Sequence, residues 1–416
     1  MSGRDLVFFG DDQAKVLAHL YGEQLGRDRG ERTTFVDTRS ATPAAIRDIA
    51  ARADRVMAQH DDPESIDPSW LPSDRTIWFP RLIGTAWWPF VTVGQSGGLR
   101  DRLLDRLMDG GVASAHAVRH YLACDVALLG QVERRVAMDR DRQRRLDVAT
   151  GFAIADRLAD LDGDEQAFLR PYGPSARLIG LLATQLFERL GGKFTRLPAS
   201  TMPLGAEWPI HPSVVTRAGL RFLDASTLYV CDGGERLTFA EHVVRYVQRG
   251  PEAGVVREDP APPPPDPVVS RMIERIDALR GRGAGNETVG LARHLVAIAP
   301  EERRARVLLA GGLKEIGRLD EAEAFARELM LADPVAADHV TLLADIVELG
   351  GDRAGALKLV EALRDAGLAD AQAYSLIGNY RLREGDRDGA RAAYAEGLRL
   401  SPDRDDLRRA VGALAA

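Results

Sequence analysis

Two adjacent carboxylates, Asp11 and Asp12, follow Gly10 directly, and further along a histidine, His60, stands beside Asp61 and Asp62. An imidazole titrates near neutrality, so His60 can draw a proton from a hydroxyl as a general base; a surface loop histidine is the plain alternative. Of two neighbouring carboxylates at a strand-to-helix turn, one can cap the helix by accepting backbone N–H bonds. The other is then left to orient a base or a substrate hydroxyl, and the N–H groups of the same helix end can hold an oxyanion or a phosphate. His211, between Ile210 and Pro212, is a second candidate base, although its packed neighbours suit a structural role. Arg81, Arg100, Arg102 and Arg119, with His120, can bind phosphates, since arginine suits bidentate contact; a surface salt bridge is the ordinary alternative for each. Trp87-Trp88-Pro89-Phe90 can stack on a sugar or an adenine, or fill a core or an interface. Gly94-Gln95-Ser96-Gly97-Gly98-Leu99 is too short for a P-loop and lacks its lysine. With Cys124 and Cys231 as the only cysteines, neither a disulfide framework nor a Cys-rich zinc site can form, and no metal centre is expected.

These residues need strands and helices to position them. Leu6 to Phe9 is a short apolar run ending at Gly10, and Val16, Leu17, Leu20 and Leu25 then repeat at helical spacing over Gln13 to Leu25. Further strands are predicted at Thr33 to Val36, Arg55 to Gln59 and Thr76 to Phe79, with a helix over Pro43 to Ala53 capped by Thr42. The alternation predicts an α/β N-terminal domain with a mostly parallel sheet over the first 95 or so residues. A large helical part follows, at Leu99 to Met108, Ser114 to Tyr121, Val126 to Thr150 and Ser175 to Leu190. Open parallel sheets bind ligands beyond the carboxyl ends of their strands, here the loops Gly10–Gln13, His60–Pro63 and Pro80–Gly84.

At 416 residues the chain exceeds one ordinary core, and the segment from Glu258 to Pro267, with six prolines, cannot be helix or central strand. It is predicted as a semi-rigid linker, residues 258–267, between a first domain at 1–257 and a second at 268–416. In the second domain Gly283, Gly317, Gly351 and Gly385 recur every 34 residues, the tetratricopeptide repeat (TPR) period. Pro300, Pro334 and Pro402 share that frame, with Leu368 at the missing position. Small residues at Ala310, Ala344 and Gly378, and at Ala322, Ala356 and Ala390, mark the helix close-contact sites; Thr288 replaces the alanine in the first unit. The expectation is an all-α TPR superhelix of about four repeats with a capping helix, whose groove docks a protein partner, with Arg303, Arg304 and Arg306 as groove or solvent residues.

Phe9-Gly10-Asp11-Asp12-Gln13 resembles the Gly-Asn-Cys-Gln signature of the WcbI-type family of capsular polysaccharide biosynthesis enzymes. Arg55-Val56-Met57-Ala58-Gln59-His60, Trp78-Phe79-Pro80-Arg81-Leu82 and Trp208-Pro209-Ile210-His211-Pro212 follow in the family's order, so the resemblance spans about residues 5 to 250. It implies coenzyme A or acetyl-CoA as cofactor and acyl transfer to a glycan. Gly10, Asp11, Gln13, Arg81, Arg100, Arg119 and His120 would hold the cofactor, and His60, Asp12 and His211 would be the catalytic candidates. Asp12 stands where the family has cysteine, and a carboxylate is a far poorer acyl acceptor than a thiolate, so direct attack by a deprotonated sugar hydroxyl is expected. Loss of that cysteine also leaves open a catalytically inactive scaffold that only binds. Gly10-Asp11-Asp12 is similar to the Gly-Asp-Ser block of SGNH esterases too, but the aspartate expected three residues before His211 is Trp208.

A net charge of −7 offers no general attraction to nucleic acid or anionic membrane. The N-terminus shows neither the basic nor the apolar part of a secretory signal, and no apolar run is long enough to span a bilayer, so a cytoplasmic location is expected.

Overall fold

The structure is a computed structural model and describes residues 4–61, 66–94, 98–109, 113–161, 163–195, 206–250 and 266–415. Asp62, Pro63, Gln95 to Gly97 and nearly all of the proline-rich segment lie outside the described residues. Two compact units are distinguished, and neither is continuous in sequence: residues 1–88 with 132–239, and residues 89–131 with 240–416.

The first unit is built on four parallel strands, β1 (Asp5–Gly10), β2 (Arg32–Asp37), β3 (Arg55–His60) and β4 (Thr76–Pro80), in the order β2-β1-β3-β4. Helix α1 (Asp12–Tyr21) connects β1 to β2 on one side; α2 (Pro43–Arg52), capped by Thr42 through Ala45 N at 3.2 Å, carries the chain back across β1 to β3. The strand order therefore reverses between β1 and β3, and the crevice at such a switch point is where α/β sheets bind ligands.

Strand alternation sends Val7, Phe9, Val56 and Ala58 into a core with Ile46 and Ala50 of α2, while Phe8 faces Tyr21 on α1. Tyr21 in turn meets Phe187 edge-on at 5.3 Å, on α4 (Ala176–Arg189). Helix α3 (Val132–Thr150) packs along β4. The single helix expected over Val126 to Thr150 is broken: Gly130 sits so close to Pro89 that a side chain there would lie 2.3 Å from its Cβ, and Gln131 takes φ 50°. Apolar residues on both sides of the break hide it from a periodicity reading.

The second unit contains the repeat array. Its helices pair as α6 (Pro267–Gly281) with α7 (Gly285–Ile298) and α8 (Arg303–Glu315) with α9 (Leu319–Ala332). Then come α10 (Ala337–Leu349) with α11 (Arg353–Asp365), α12 (Ala371–Arg383) with α13 (Arg387–Leu400), and the single α14 (Asp405–Ala415). Four TPR-type hairpins and a capping helix are thus present. The four periodic glycines all take positive φ, from 72° to 99°, in the turn within each hairpin, a conformation other L-residues adopt only at a cost. Gly378 allows α13 to approach: a Cβ there would lie 2.3 Å from the Tyr394 ring.

Residues 89–131 belong to this unit and are joined to the array by specific bonds. Arg102 pairs with Asp333 at 2.7 Å, His120 Nδ1 meets the Asp365 carbonyl at 3.0 Å, and Gln131 Nε2 donates to the Arg327 carbonyl at 2.9 Å. The helix expected from Leu99 starts only at Arg102, because Leu99–Asp101 pairs as a strand with Val91–Val93. Asp101, 1% exposed, then accepts N–H bonds from Leu103 and Leu104 at 2.9 and 3.0 Å and the Tyr121 hydroxyl at 2.5 Å.

Candidate functional site

The carboxyl ends of β1, β3 and β4 bring together residues that are far apart in sequence. Gly10 ends β1 where a Cβ would lie 2.6 Å from Gln59 Oε1 and 2.7 Å from Ala14 Cβ, so only glycine permits the turn into α1 to approach β3 this closely. Gln59 Oε1 accepts the Asp11 N–H at 2.9 Å. Asp11 divides its carboxylate: Oδ1 caps α1 through Gln13 N at 2.9 Å, and Oδ2 accepts from Arg81 Nε at 2.8 Å. Gln13 clamps the exit of β4, its Nε2 donating to the Leu82 carbonyl at 2.7 Å and its Oε1 accepting the Leu82 N–H at 2.9 Å.

Arg81 continues the chain of charge. Its Nη1 donates to Asp61 Oδ2 at 2.7 Å, and Asp61 Oδ1 accepts from Arg142 of α3 at 2.5 Å. The carboxylate side chains are about one-tenth exposed and the two arginine side chains about one-quarter. Burial acts to lower the Arg81 pKa, but Asp11 and Asp61 outweigh it and hold the guanidinium above its ordinary value. The Tyr172 ring lies 5.8 Å from the Arg81 guanidinium, within cation–π range.

One turn of α3 before Arg142, Asp139 Oδ2 accepts the N–H groups of Thr85 and Ala86 at 2.8 and 2.9 Å. Burial pushes this carboxyl above the ordinary range despite those donors. It borders a cavity of about 50 Å³ lined by Ile83, Trp87, Val136, Leu158 and Phe168. Phe168 lies so near Gly84 that a Cβ there would be 2.3 Å away.

Of the residues singled out from sequence, Gly10, Asp11, Gln13 and Arg81 meet here. The helix-capping carboxylate is Asp11; Asp12 begins α1 with its side chain 73% exposed and 3.3 Å from Arg39. His60 turns to the other side of the sheet from Gln59: its ring is edge-on to Trp78 at 5.6 Å, and Trp78 packs on the α2 core. His211 is buried at the start of α5 (Pro212–Ala218), where Nδ1 accepts from Ser213 N at 3.1 Å, and its ring lies edge-on to Phe239 at 5.1 Å. Arg100, Arg119 and His120 belong to the other compact unit, where Arg100 pairs with Asp105 at 2.6 Å and Arg119 is exposed on its helix. Trp88 donates from its indole to the Trp208 carbonyl at 2.9 Å, and Trp87 packs against Phe222, so that aromatic pair is interior.

Solved structures resemble parts of this chain. WcbI, a polysaccharide biosynthesis enzyme in its native form without a disulfide bond between coenzyme A and cysteine, is 12% identical with TM-score 0.46, covering 74% of this chain and 99% of that one. A thermophilic TPR protein of Thermus thermophilus is 18% identical with TM-score 0.33, over 42% of this chain and 89% of that one. PilF of Pseudomonas aeruginosa is 16% identical with TM-score 0.31, over 35% and 67%. No protein-family profile matches the chain, and no curated sequence does.

Gln59, Asp61, Arg142, Tyr172 and Asp139 complete the site; from sequence Gln59 and Asp61 were noted only as neighbours of His60, and the other three were passed over. Strand parity carries a signal for two: the residues flanking His60 on either side share a parity opposite to its own. Arg142 lies in Arg140-Asp141-Arg142-Gln143-Arg144-Arg145, where nothing in the spacing separates it from its neighbours.

Proposed function

We propose that the protein acts in polysaccharide biosynthesis, transferring an acyl group from a coenzyme A thioester to a glycan hydroxyl, with the TPR array docking a partner protein. The observation that carries this reading is the Gly10-Asp11-Asp12-Gln13 turn at the β1/β3 switch point, with Asp11 and Gln13 bonded to Arg81 and Leu82 at the next strand end. The resemblance of that turn to the Gly-Asn-Cys-Gln signature supplies the substrate class. Asp12 stands open to solvent at the position of the signature cysteine, and a carboxylate there supports direct transfer without a covalent acyl-enzyme. His60 ends β3 with its ring on the Trp78 side, opposite Gln59, and is the proposed base for a hydroxyl that reaches the strand end from there, with His211 next in order.

Coenzyme A at a hundredfold excess over its dissociation constant should stabilise the protein by about 2.7 kcal/mol in a thermal-shift assay. Absence of stabilisation and of calorimetric binding at millimolar coenzyme A would refute the reading and favour a scaffold. With an acceptor glycan in hand, His60→Ala should lower turnover by about 10²–10⁴.

A further inference from the structure

The Arg81 guanidinium has three nitrogens, and two are committed: Nε to Asp11 at 2.8 Å and Nη1 to Asp61 at 2.7 Å. Among the described residues Nη2 makes no hydrogen bond. The Arg81 side chain is 25% exposed against 11% and 10% for the two carboxylates, so it is the member of the group that a ligand can reach, and Nη2 is its uncommitted nitrogen. Two carboxylates fix its plane and Tyr172 lies against it, so no rotation is needed when an acceptor arrives. Asp11, Arg81, Asp61 and Arg142 carry two negative and two positive charges, so these four side chains together bring no net charge to attract a phosphate. A neutral carbonyl oxygen needs only a rigid donor, and one that gains negative charge during reaction is held more strongly still.

We infer that Arg81 binds the acyl carbonyl oxygen through Nη2, and not the coenzyme's phosphates, with Asp11 and Asp61 as positioning residues. The inference rests on the acyl-transfer reading. The acceptor oxygen adds to the thioester carbon, the carbonyl electron pair moves to the oxygen facing Nη2, and collapse breaks the C–S bond. The coenzyme leaves as a thiol, gaining the proton that the acceptor hydroxyl loses.

Isotope-edited infrared difference spectroscopy of bound acetyl-CoA, carbon-13 labelled at the carbonyl, tests this on the full chain. Wild type should shift the carbonyl band to lower wavenumber than in free acetyl-CoA. Arg81→Lys keeps a cation beside Asp11 and Asp61 but has no third nitrogen, and should return the band to near its free position while affinity changes less than about threefold. Arg81→Gln removes the cation from Asp11 and Asp61 and costs stability, and, measured under conditions where circular dichroism shows it folded, should return the band likewise. An unchanged band shift in both Arg81 variants would overturn the assignment. So would an affinity loss above about tenfold with a weaker salt dependence, the mark of a phosphate contact. Wild type that does not bind acetyl-CoA removes the acyl-transfer reading and this assignment with it; binding with an unshifted band refutes the assignment alone.

Discussion

Replacing Asp101 by asparagine should remove a defined piece of the protein's pH dependence. Burial pushes this carboxyl from its ordinary 3.8 up to about 6, against the Tyr121 hydroxyl and the Leu104 and Leu103 N–H groups, which favour the ionised form. Asp105, itself bonded to Arg100 and the Tyr246 hydroxyl, adds to the rise. A raised carboxyl means that the folded state holds a proton the unfolded state has released, so stability falls as pH rises between those values. The interval from 3.8 to about 6 corresponds to about 3 kcal/mol, with no solvent discount for a side chain this buried. Unfolding free energies of wild type and Asp101→Asn, from urea titrations followed by circular dichroism, should differ by a quantity that declines by about 3 kcal/mol from roughly pH 4 to pH 7. Above that range the difference should be flat. A difference that stays constant, or rises with pH, would refute the reasoning and mean that the three donors outweigh burial.

Gly10→Ala should destabilise the first unit by about 1–3 kcal/mol, because its Cβ meets Gln59 and Ala14; an unchanged urea midpoint would contradict the close approach. Arg81→Met takes the guanidinium away from two buried carboxylates, Asp11 and Asp61, and a loss of about 3–5 kcal/mol is expected in the same titration. A fragment of residues 266–416 should give a helical circular dichroism spectrum. It should melt lower than the full chain's repeat helices, since it lacks the bonds from Arg102, His120 and Gln131.

The repeats were legible because each glycine, proline and small residue does the same job at the same phase, and a period repeated four times is hard to mistake. The strands of the first unit were equally plain, since β-branched and aromatic runs end at Gly10 and Pro80, residues that stop a strand by their own backbone chemistry. The turn at Gly10–Gln13 was found, and with it half of the charged cluster. What escaped was set by pairing across long separations. Asp61 with Arg142, or Thr85 with Asp139, leaves no trace in local spacing, and the membership of residues 89–131 in the repeat unit is decided by contacts more than 190 residues away. His60 drew attention by residue type, and strand parity turned it from the face that Gln59 occupies.

The interleaved order of the two units sets a timetable for synthesis. Residues 1–88 and 132–239 both leave the ribosome before the repeats, so the sheet unit can be complete while the segment looped out of it, Pro89–Gln131, still lacks its permanent neighbours. Leu107 packs against Gly367, and that contact must wait roughly 10 to 50 s at about 5–20 residues per second. Through that interval the apolar residues of the segment are available to chaperones or to another nascent chain, and a message truncated within the repeats would leave them so.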